Sequence, residues 1–177
     1  MLTIELTLLI ICLFLSGFFS SSETALFSIS KIKALHVAKD ESQTGRLIML
    51  MKEDSHTLLT TILIGNNLVN ISASAIATSI AIQQFQSNAV GIATGVMTLL
   101  ILVFGEIFPK SFANHNNILV ARIVIFPLYW LSKIFFPLIF LLNIIPKLHG
   151  SIDNPHETVT EDELMTMVEV VEGEGEI

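Results

Sequence analysis

Charged residues and cysteines are scarce in this chain of 177 residues. Only 14% of its residues are charged and 52% are hydrophobic, whereas soluble domains carry roughly 25% charged residues. The stretch from Ser55 to Gly105 contains no Asp, Glu, Lys or Arg at all. With one cysteine, Cys12, the chain can form no internal disulfide. The composition therefore excludes a disulfide-stapled secreted domain and favours a membrane protein.

The few charges are distributed unevenly along the chain. Nine of the sixteen acidic residues fall between Asp153 and Glu176, a stretch without Lys or Arg. The preceding residues hold all nine bases and seven acids, so they are nearly neutral. No strongly basic surface is expected, and binding to nucleic acid is therefore not predicted.

Three charge-poor stretches are long enough to cross a bilayer, because about 20 apolar residues at roughly 1.5 Å each span its hydrocarbon core. The predicted spans are about residues 3–29, 56–82 and 89–110. The first carries Glu5 and no base near its start, so we interpret it as a membrane helix and not as a signal peptide. Every Lys and Arg lies either between the first and second spans or at the end of the third span and beyond it. This predicts an external N-terminus and a cytosolic C-terminus in a plasma or inner membrane.

The stretches beside the spans predict further helices, so the expected fold is an all-α membrane protein. Residues 31–53 mix charged and apolar residues at helical spacing and predict a juxtamembrane helical hairpin. Residues 117–149 are interrupted by three bases and three prolines, which favours kinked helices along the inner face, with a fourth span as the alternative. We expect residues 1–150 to form a transmembrane domain. Residues 151–177 form an acidic cytosolic helix that we expect to lead into a further domain.

Polar groups lie inside the predicted second and third spans. Asn66 and Asn70 are four residues apart, so their amides share one face of a helix. Gly105 and Glu106 precede Pro109, which has no N–H and disturbs the carbonyl near Gly105. Helices broken in this way expose carbonyl oxygens at membrane depth, where they line cavities or ion sites.

The first span contributes Ser20 and Glu23, which are three residues apart and add a hydroxyl and a carboxylate. The candidate donors are therefore all oxygen atoms, without a cluster of cysteines or histidines. Such a set suits a hard cation such as Mg²⁺ and disfavours soft metals. No nucleophile–histidine–acid or phosphate-loop pattern is present, so enzymatic activity is not predicted.

Each of these polar groups also has a purely structural interpretation. The asparagines could join two helices by hydrogen bonds, and the run of three serines could bond to carbonyls of its own helix. Glu23 could pair with Lys31 or Lys33, and Glu106 with Lys110, at the membrane edge. A carboxylate within a membrane span nevertheless favours a functional role.

Three segments of the chain resemble the signatures of the CorB/CorC and cyclin M (CNNM) magnesium transporters. They are Phe19–Leu26, Gly65–Asn70 and Gly105–Lys110. Ser21 stands where the family usually has glycine. The resemblance implies a homodimer in the lipid bilayer with three spans per chain and a belt of juxtamembrane helices. It also implies a cytosolic CBS-pair domain that binds ATP, for which this chain is too short.

The resemblance further implies export of Mg²⁺ or Co²⁺ in exchange for Na⁺. Carried over by position, the implied ligands of the cation are Ser20, Asn66, Asn70 and Glu106. Glu23 and Gly105 are further candidates, as a site for the coupling ion and as a backbone ligand. Two alternatives stay open at this point. The protein could be a membrane-anchored Mg²⁺ sensor or scaffold that binds without transport, or a passive Mg²⁺ channel.

Overall fold

The computed structural model describes residues 2–39, 42–85 and 89–148, all of which lie in helices or in short connections between them. In chain order, the helices are α1 (Leu2–Ser28), α2 (Lys31–Lys39), α3 (Gln43–Glu53), α4 (Ser55–Phe85), α5 (Ala89–Leu100), the π segment (Ile101–Ile107), α6 (Phe108–His115), α7 (Asn117–Ile134) and α8 (Phe136–Leu148). The backbone stays helical at both ends of the π segment, so α5, the π segment and α6 form one continuous rod. The predicted all-α fold class is confirmed.

Two compact units divide the chain at Phe140. The first is Met1–Phe140 and the second is Leu141–Ile177. Of the second unit, only the end of α8 is among the described residues. The acidic helix predicted for residues 151–177 lies outside the described residues. It remains a prediction.

Four stretches of the described chain are long and apolar enough to cross a membrane, judged by length and composition. They are Leu2–Ser28, Ser55–Gln83, Ala93–His115 and Asn117–Ile134. The first three fall on the predicted spans. The fourth coincides with α7, for which the sequence left a crossing and a position on the inner face as alternatives.

Helix α1 is central to the first unit, because it contacts α4, the π segment, α6 and α7. Two glycines permit these close approaches. A methyl group placed on Gly65 of α4 would overlap the ring of Phe19. A methyl group on Gly17 of α1 would lie 3.1 Å from Cγ of Pro109. Neighbouring helices therefore approach α1 closely from two directions.

The buried core surrounds the carboxyl-terminal half of α1. Leu26 packs there with Ile48, Leu58 and Ile125, which come from α3, α4 and α7. The amino-terminal half of α1 differs, since many of its large apolar side chains are exposed, Phe14 by 78%. An apolar surface of this extent suits the hydrocarbon interior of a bilayer.

Helix α3, in the segment predicted to form a juxtamembrane hairpin, is attached to the carboxyl end of α1. Ser42 begins α3 as its N-cap, since its Oγ accepts a hydrogen bond from the Gly45 amide at 3.1 Å. Near the end of α3, Nζ of Lys52 donates to the carbonyl oxygen of Leu26 at 3.0 Å and also to that of Ile29. Carbonyls at the end of a helix have no partner within it and carry partial negative charge, so a lysine is a favourable cap. The cap fixes α3 to α1.

Candidate cation site

The three consecutive serines of α1 have different environments. Ser21 and Ser22 donate to the Phe18 carbonyl oxygen at 3.0 and 2.6 Å, as the structural interpretation predicted. Ser20 is fully buried, and its Oγ has no hydrogen-bond partner in the described chain. For Ser20 the structural interpretation is therefore wrong, because its hydroxyl is not used by its own helix.

Asn66 and Asn70 lie on one face of α4, and the structure brings their amides together. Nδ2 of Asn70 donates to Oδ1 of Asn66 at 3.4 Å. Oδ1 of Asn70 is buried and accepts no hydrogen bond from the described residues. The contact within the pair uses the donor of Asn70 and leaves its carbonyl oxygen available to a cation.

The π segment exposes a carbonyl one residue earlier than the sequence predicts. The Phe108 amide donates to the carbonyl oxygen of Val103, five residues back. With the same five-residue spacing, the Phe104 carbonyl would accept a hydrogen bond from the amide of residue 109. That residue is Pro109, which has no N–H. The α-helical donor to Phe104 would be the Phe108 amide, which is already bonded to Val103. The Phe104 carbonyl is therefore left without its helical donor, whereas the sequence pointed to Gly105.

This part of the π segment lies directly against α1. A methyl group on Gly17 would lie 3.4 Å from the Phe104 carbonyl oxygen. A methyl group on Gly105 would lie 2.5 Å from Oγ of Ser16. Gly105 thus serves close approach in this structure, and the oxygen that faces α1 belongs to its neighbour Phe104.

The charged residues pair differently from the sequence-based alternatives. Nζ of Lys110 lies 3.2 Å from Oε2 of Glu23, which joins α6 to α1. The suggested pairs of Glu23 with Lys33 and of Glu106 with Lys110 are therefore wrong, whereas the side chain of Lys31 is not among those that the structure describes. They failed because pairing was sought between residues close in sequence, and the packing of α6 on α1 supplies a partner 87 positions away.

Glu106 is left as the free carboxylate of this region. It is partly exposed, and it has no hydrogen bond or ion pair with any residue in the described ranges. Its negative charge is therefore available to a cation. Glu23, in contrast, is already neutralised by Lys110.

Two helix crossings meet on a short stretch of α1, residues 16–20. Phe19 packs against Gly65 of α4, one residue before Asn66. Ser16 and Gly17 face the π segment, one or two residues before Glu106. The candidate oxygens on α4 and on the π segment therefore belong to helices that pack on the same two turns of α1. Sequence reasoning missed Ser16 and the Phe104 carbonyl, since neither falls in a polar motif.

The remaining features of the region restrict the kind of ligand. Within the described ranges, no three side chains of His, Cys, Asp or Glu come together. A groove of about 700 Å³ between α1 and α6 is lined by aromatic and aliphatic side chains, with Ser21 as its polar member. Because the Ser21 hydroxyl bonds to Phe18, this groove offers little to an ion. The oxygens near residues 16–20 are the better candidates.

Comparison with known proteins identifies the family to which the chain belongs. The family described as the cyclin M transmembrane N-terminal domain matches residues 7–177. A UPF0053 protein of Haemophilus influenzae is 40% identical over 166 residues, which cover 91% of this chain and 40% of that protein. The UPF0053 inner membrane protein YfjD of Escherichia coli is 36% identical over 134 residues, which cover 76% of this chain and 31% of that protein.

A relative from an animal is also found. Metal transporter cnnm-4 of Caenorhabditis elegans is 31% identical over 147 residues, which cover 78% of this chain and 31% of that protein. The chain thus spans two fifths or less of the length of these three relatives. The family match covers nearly the whole sequence, and the structure supplies the apolar helices that such a domain requires. This chain belongs to the cyclin M family and contains its transmembrane N-terminal domain.

Proposed function

We propose that this chain is the membrane domain of a transporter that exports Mg²⁺ from the cytosol. The observation that carries the proposal is the pair of buried, unpartnered oxygens of Ser20 and Asn70 in the described chain. An unsatisfied buried polar atom costs about 1–3 kcal/mol. Binding of a cation to these oxygens during transport would offset this cost and would explain why they have no other partner in the described chain.

The chemistry of the donors favours Mg²⁺. This ion takes about six oxygen ligands at roughly 2.0–2.1 Å and gives up its water reluctantly. Ser20, Asn66 and Asn70 would offer neutral oxygens, and Glu106 the negative charge. The Phe104 carbonyl, left without its helical donor, is a further neutral oxygen. Fixed oxygens of this kind can replace water molecules one for one.

Transport requires access to the site from each side of the membrane in turn. We propose that Mg²⁺ enters from the cytosol and is released outside after the helices rock, with Na⁺ entry as the driving force. Glu23 is bonded to Lys110 in this structure. It would therefore take part in Na⁺ coupling only after that ion pair opens.

The wider assembly also belongs to this proposal. The C. elegans relative is named a metal transporter, which supports metal transport as the function class. We further propose that the protein works as a homodimer with three spans per chain, and that a cytosolic CBS-pair domain binds ATP. The chain covers only part of its relatives, so these features would belong to the complete protein.

A flux assay tests the proposed function. The purified protein is reconstituted in liposomes that contain Na⁺ and a Mg²⁺-sensitive dye, and Mg²⁺ is added outside. We expect the dye signal to rise faster than in protein-free liposomes, and to slow when the Na⁺ gradient is abolished.

Other outcomes identify the alternatives. Binding of Mg²⁺ without flux would indicate a sensor or scaffold. Flux that is indifferent to the Na⁺ gradient would indicate a passive channel. Co²⁺ in place of Mg²⁺ in the same assay shows whether the site distinguishes the two cations.

A further inference from the structure

Buried hydroxyl groups in the described helices fall into two classes. Ser22, Thr61 and Ser132 are buried, and each donates to a carbonyl three or four residues earlier in its own helix. This is the usual way to satisfy a hydroxyl inside a helix. Ser16 and Ser20 are as deeply buried, yet neither Oγ has a partner among the described residues. Both exceptions lie on α1.

Ser16 is four residues before Ser20, so the two side chains lie on the same face of α1, about 6 Å apart along the axis. Ser16 is 1% exposed. Its Oγ points at the π segment, because a methyl group on Gly105 would lie 2.5 Å from that oxygen. The next residue of α1, Gly17, faces the Phe104 carbonyl. Two oxygens without their usual partners therefore meet at this crossing.

We infer that the Ser16 hydroxyl is a second contact for the transported cation, one turn of α1 beyond Ser20 toward the amino-terminal end. The inference deepens the proposed function and rests on it. With the amino terminus outside, a cation that leaves Ser20 passes Ser16 on the way out.

The chemistry at Ser16 suits a transit position. The Ser16 hydroxyl can replace a water molecule, but it carries no full negative charge that would trap a divalent ion. Conduction requires sites that bind strongly enough for entry and weakly enough for release. The inference assigns the charged ligand, Glu106, to the inner position with Ser20, and on this assignment the outer position is the weaker one.

Three alanine variants separate this role from a structural one. Ser16→Ala and Ser20→Ala each remove an unpartnered hydroxyl, and Ser22→Ala is the matched control because its equally buried hydroxyl is bonded to Phe18. The two readouts are Mg²⁺ flux in liposomes and equilibrium Mg²⁺ binding by calorimetry. We expect Ser16→Ala to slow flux about tenfold or more, with affinity within about twofold of the wild type. Ser20→Ala should weaken both flux and affinity, and Ser22→Ala neither.

Thermal stability provides the check on folding. Ser16→Ala deletes an unsatisfied hydroxyl, so we expect unfolding at the same or a higher temperature than the wild type. Wild-type flux in Ser16→Ala, or a loss of affinity equal to that of Ser20→Ala, would overturn the assignment of Ser16. If Ser20→Ala and Glu106→Gln also transport normally, or if the wild type moves no Mg²⁺, the proposed function itself fails and the inference fails with it.

Discussion

At the scale of single residues, identical side chains a few positions apart have different roles in this protein. Ser20 and Ser22 are both fully buried, but only Ser22 bonds to its own helix. Asn66 accepts a hydrogen bond from Asn70, and Asn70 keeps a buried carbonyl oxygen without a partner in the described chain. What distinguishes them is whether a polar atom of the side chain has a hydrogen-bond partner among the described residues. The candidate ligands can therefore be tested against close neighbours of the same type.

Asn70→Ala should abolish Mg²⁺ transport, because it removes the buried amide oxygen and the donor to Asn66. Asn67→Ala is the matched control, since Asn67 is exposed on the same helix and its substitution should leave flux unchanged.

Glu106→Gln should also abolish transport, since it removes the negative charge and keeps the shape of the side chain. Flux in liposomes is the measurement, and chromatography shows whether each variant keeps its oligomeric state. Wild-type flux in Asn70→Ala or Glu106→Gln would remove that residue from the mechanism.

At the scale of helices, the approach of α4 to α1 depends on a residue without a side chain. Gly65→Ala would force the buried ring of Phe19 to move, since the added methyl group overlaps it. Overpacking of this kind costs about 1–3 kcal/mol, so we expect a lower temperature of thermal unfolding in detergent. Gly95→Ala is the control, because no atom lies within 4 Å of the added methyl group. It should be neutral or slightly stabilising, since alanine favours the helix by about 1 kcal/mol.

If Gly65→Ala unfolded at the same temperature as Gly95→Ala, the close contact between α1 and α4 would not be needed for stability. The position of the asparagines relative to α1 would then need another explanation.

The π segment gives a second prediction at this scale. Pro109→Ala restores an amide N–H that can donate to the Phe104 carbonyl in the observed register. We expect Mg²⁺ affinity to fall about tenfold, because an oxygen of the site gains a competing donor. Calorimetry on the purified protein measures the affinity. Stability should be unchanged or higher, since a proline inside a helix is unfavourable.

Pro127→Ala is the control for this prediction, because Pro127 also lies inside a helix but belongs to α7. It should leave Mg²⁺ affinity unchanged. Equal affinities for Pro109→Ala and the wild type would show that the Phe104 carbonyl is not a ligand.

At the scale of the whole molecule, the direction of transport depends on how the chain is oriented in the membrane. With Cys12→Ser as background, single cysteines report orientation. We expect Ser87→Cys, in the connection between the second and third spans, to react with an impermeant maleimide on intact cells. Gln43→Cys, exposed at the start of α3, should react only after permeabilisation. We expect this because loops rich in Lys and Arg favour the cytosolic side of a membrane.

The same assay decides the number of crossings. Asn116 and Lys133 are exposed near the two ends of α7, and cysteines at both positions should behave like Gln43→Cys if α7 lies on the inner face. Opposite accessibility of the two positions would mean that α7 crosses the membrane. Labelling of Gln43→Cys on intact cells would reverse the orientation, and with it the proposed direction of export.

Local properties of the chain were readable without coordinates. The charge-free length of the apolar stretches specifies helices that can span a bilayer, since each residue adds a fixed rise. A spacing of four places Asn66 and Asn70 on one face, and the structure joins them by a hydrogen bond. The missing N–H of Pro109 guarantees an unsatisfied carbonyl nearby. All of these follow from the geometry of a single helix.

Contacts between helices required the folded molecule. Three features depend on how α1 packs on its neighbours. Lys110 pairs with Glu23, the hydroxyl groups of Ser16 and Ser20 have no partner among the described residues, and the carbonyl without its helical donor is that of Phe104 and not that of Gly105. The periodicity of a helix fixes which side chains share a face, but not which other helix that face meets. That choice is made by many packing contacts acting together, among them the close approaches at Gly17, Gly65 and Gly105.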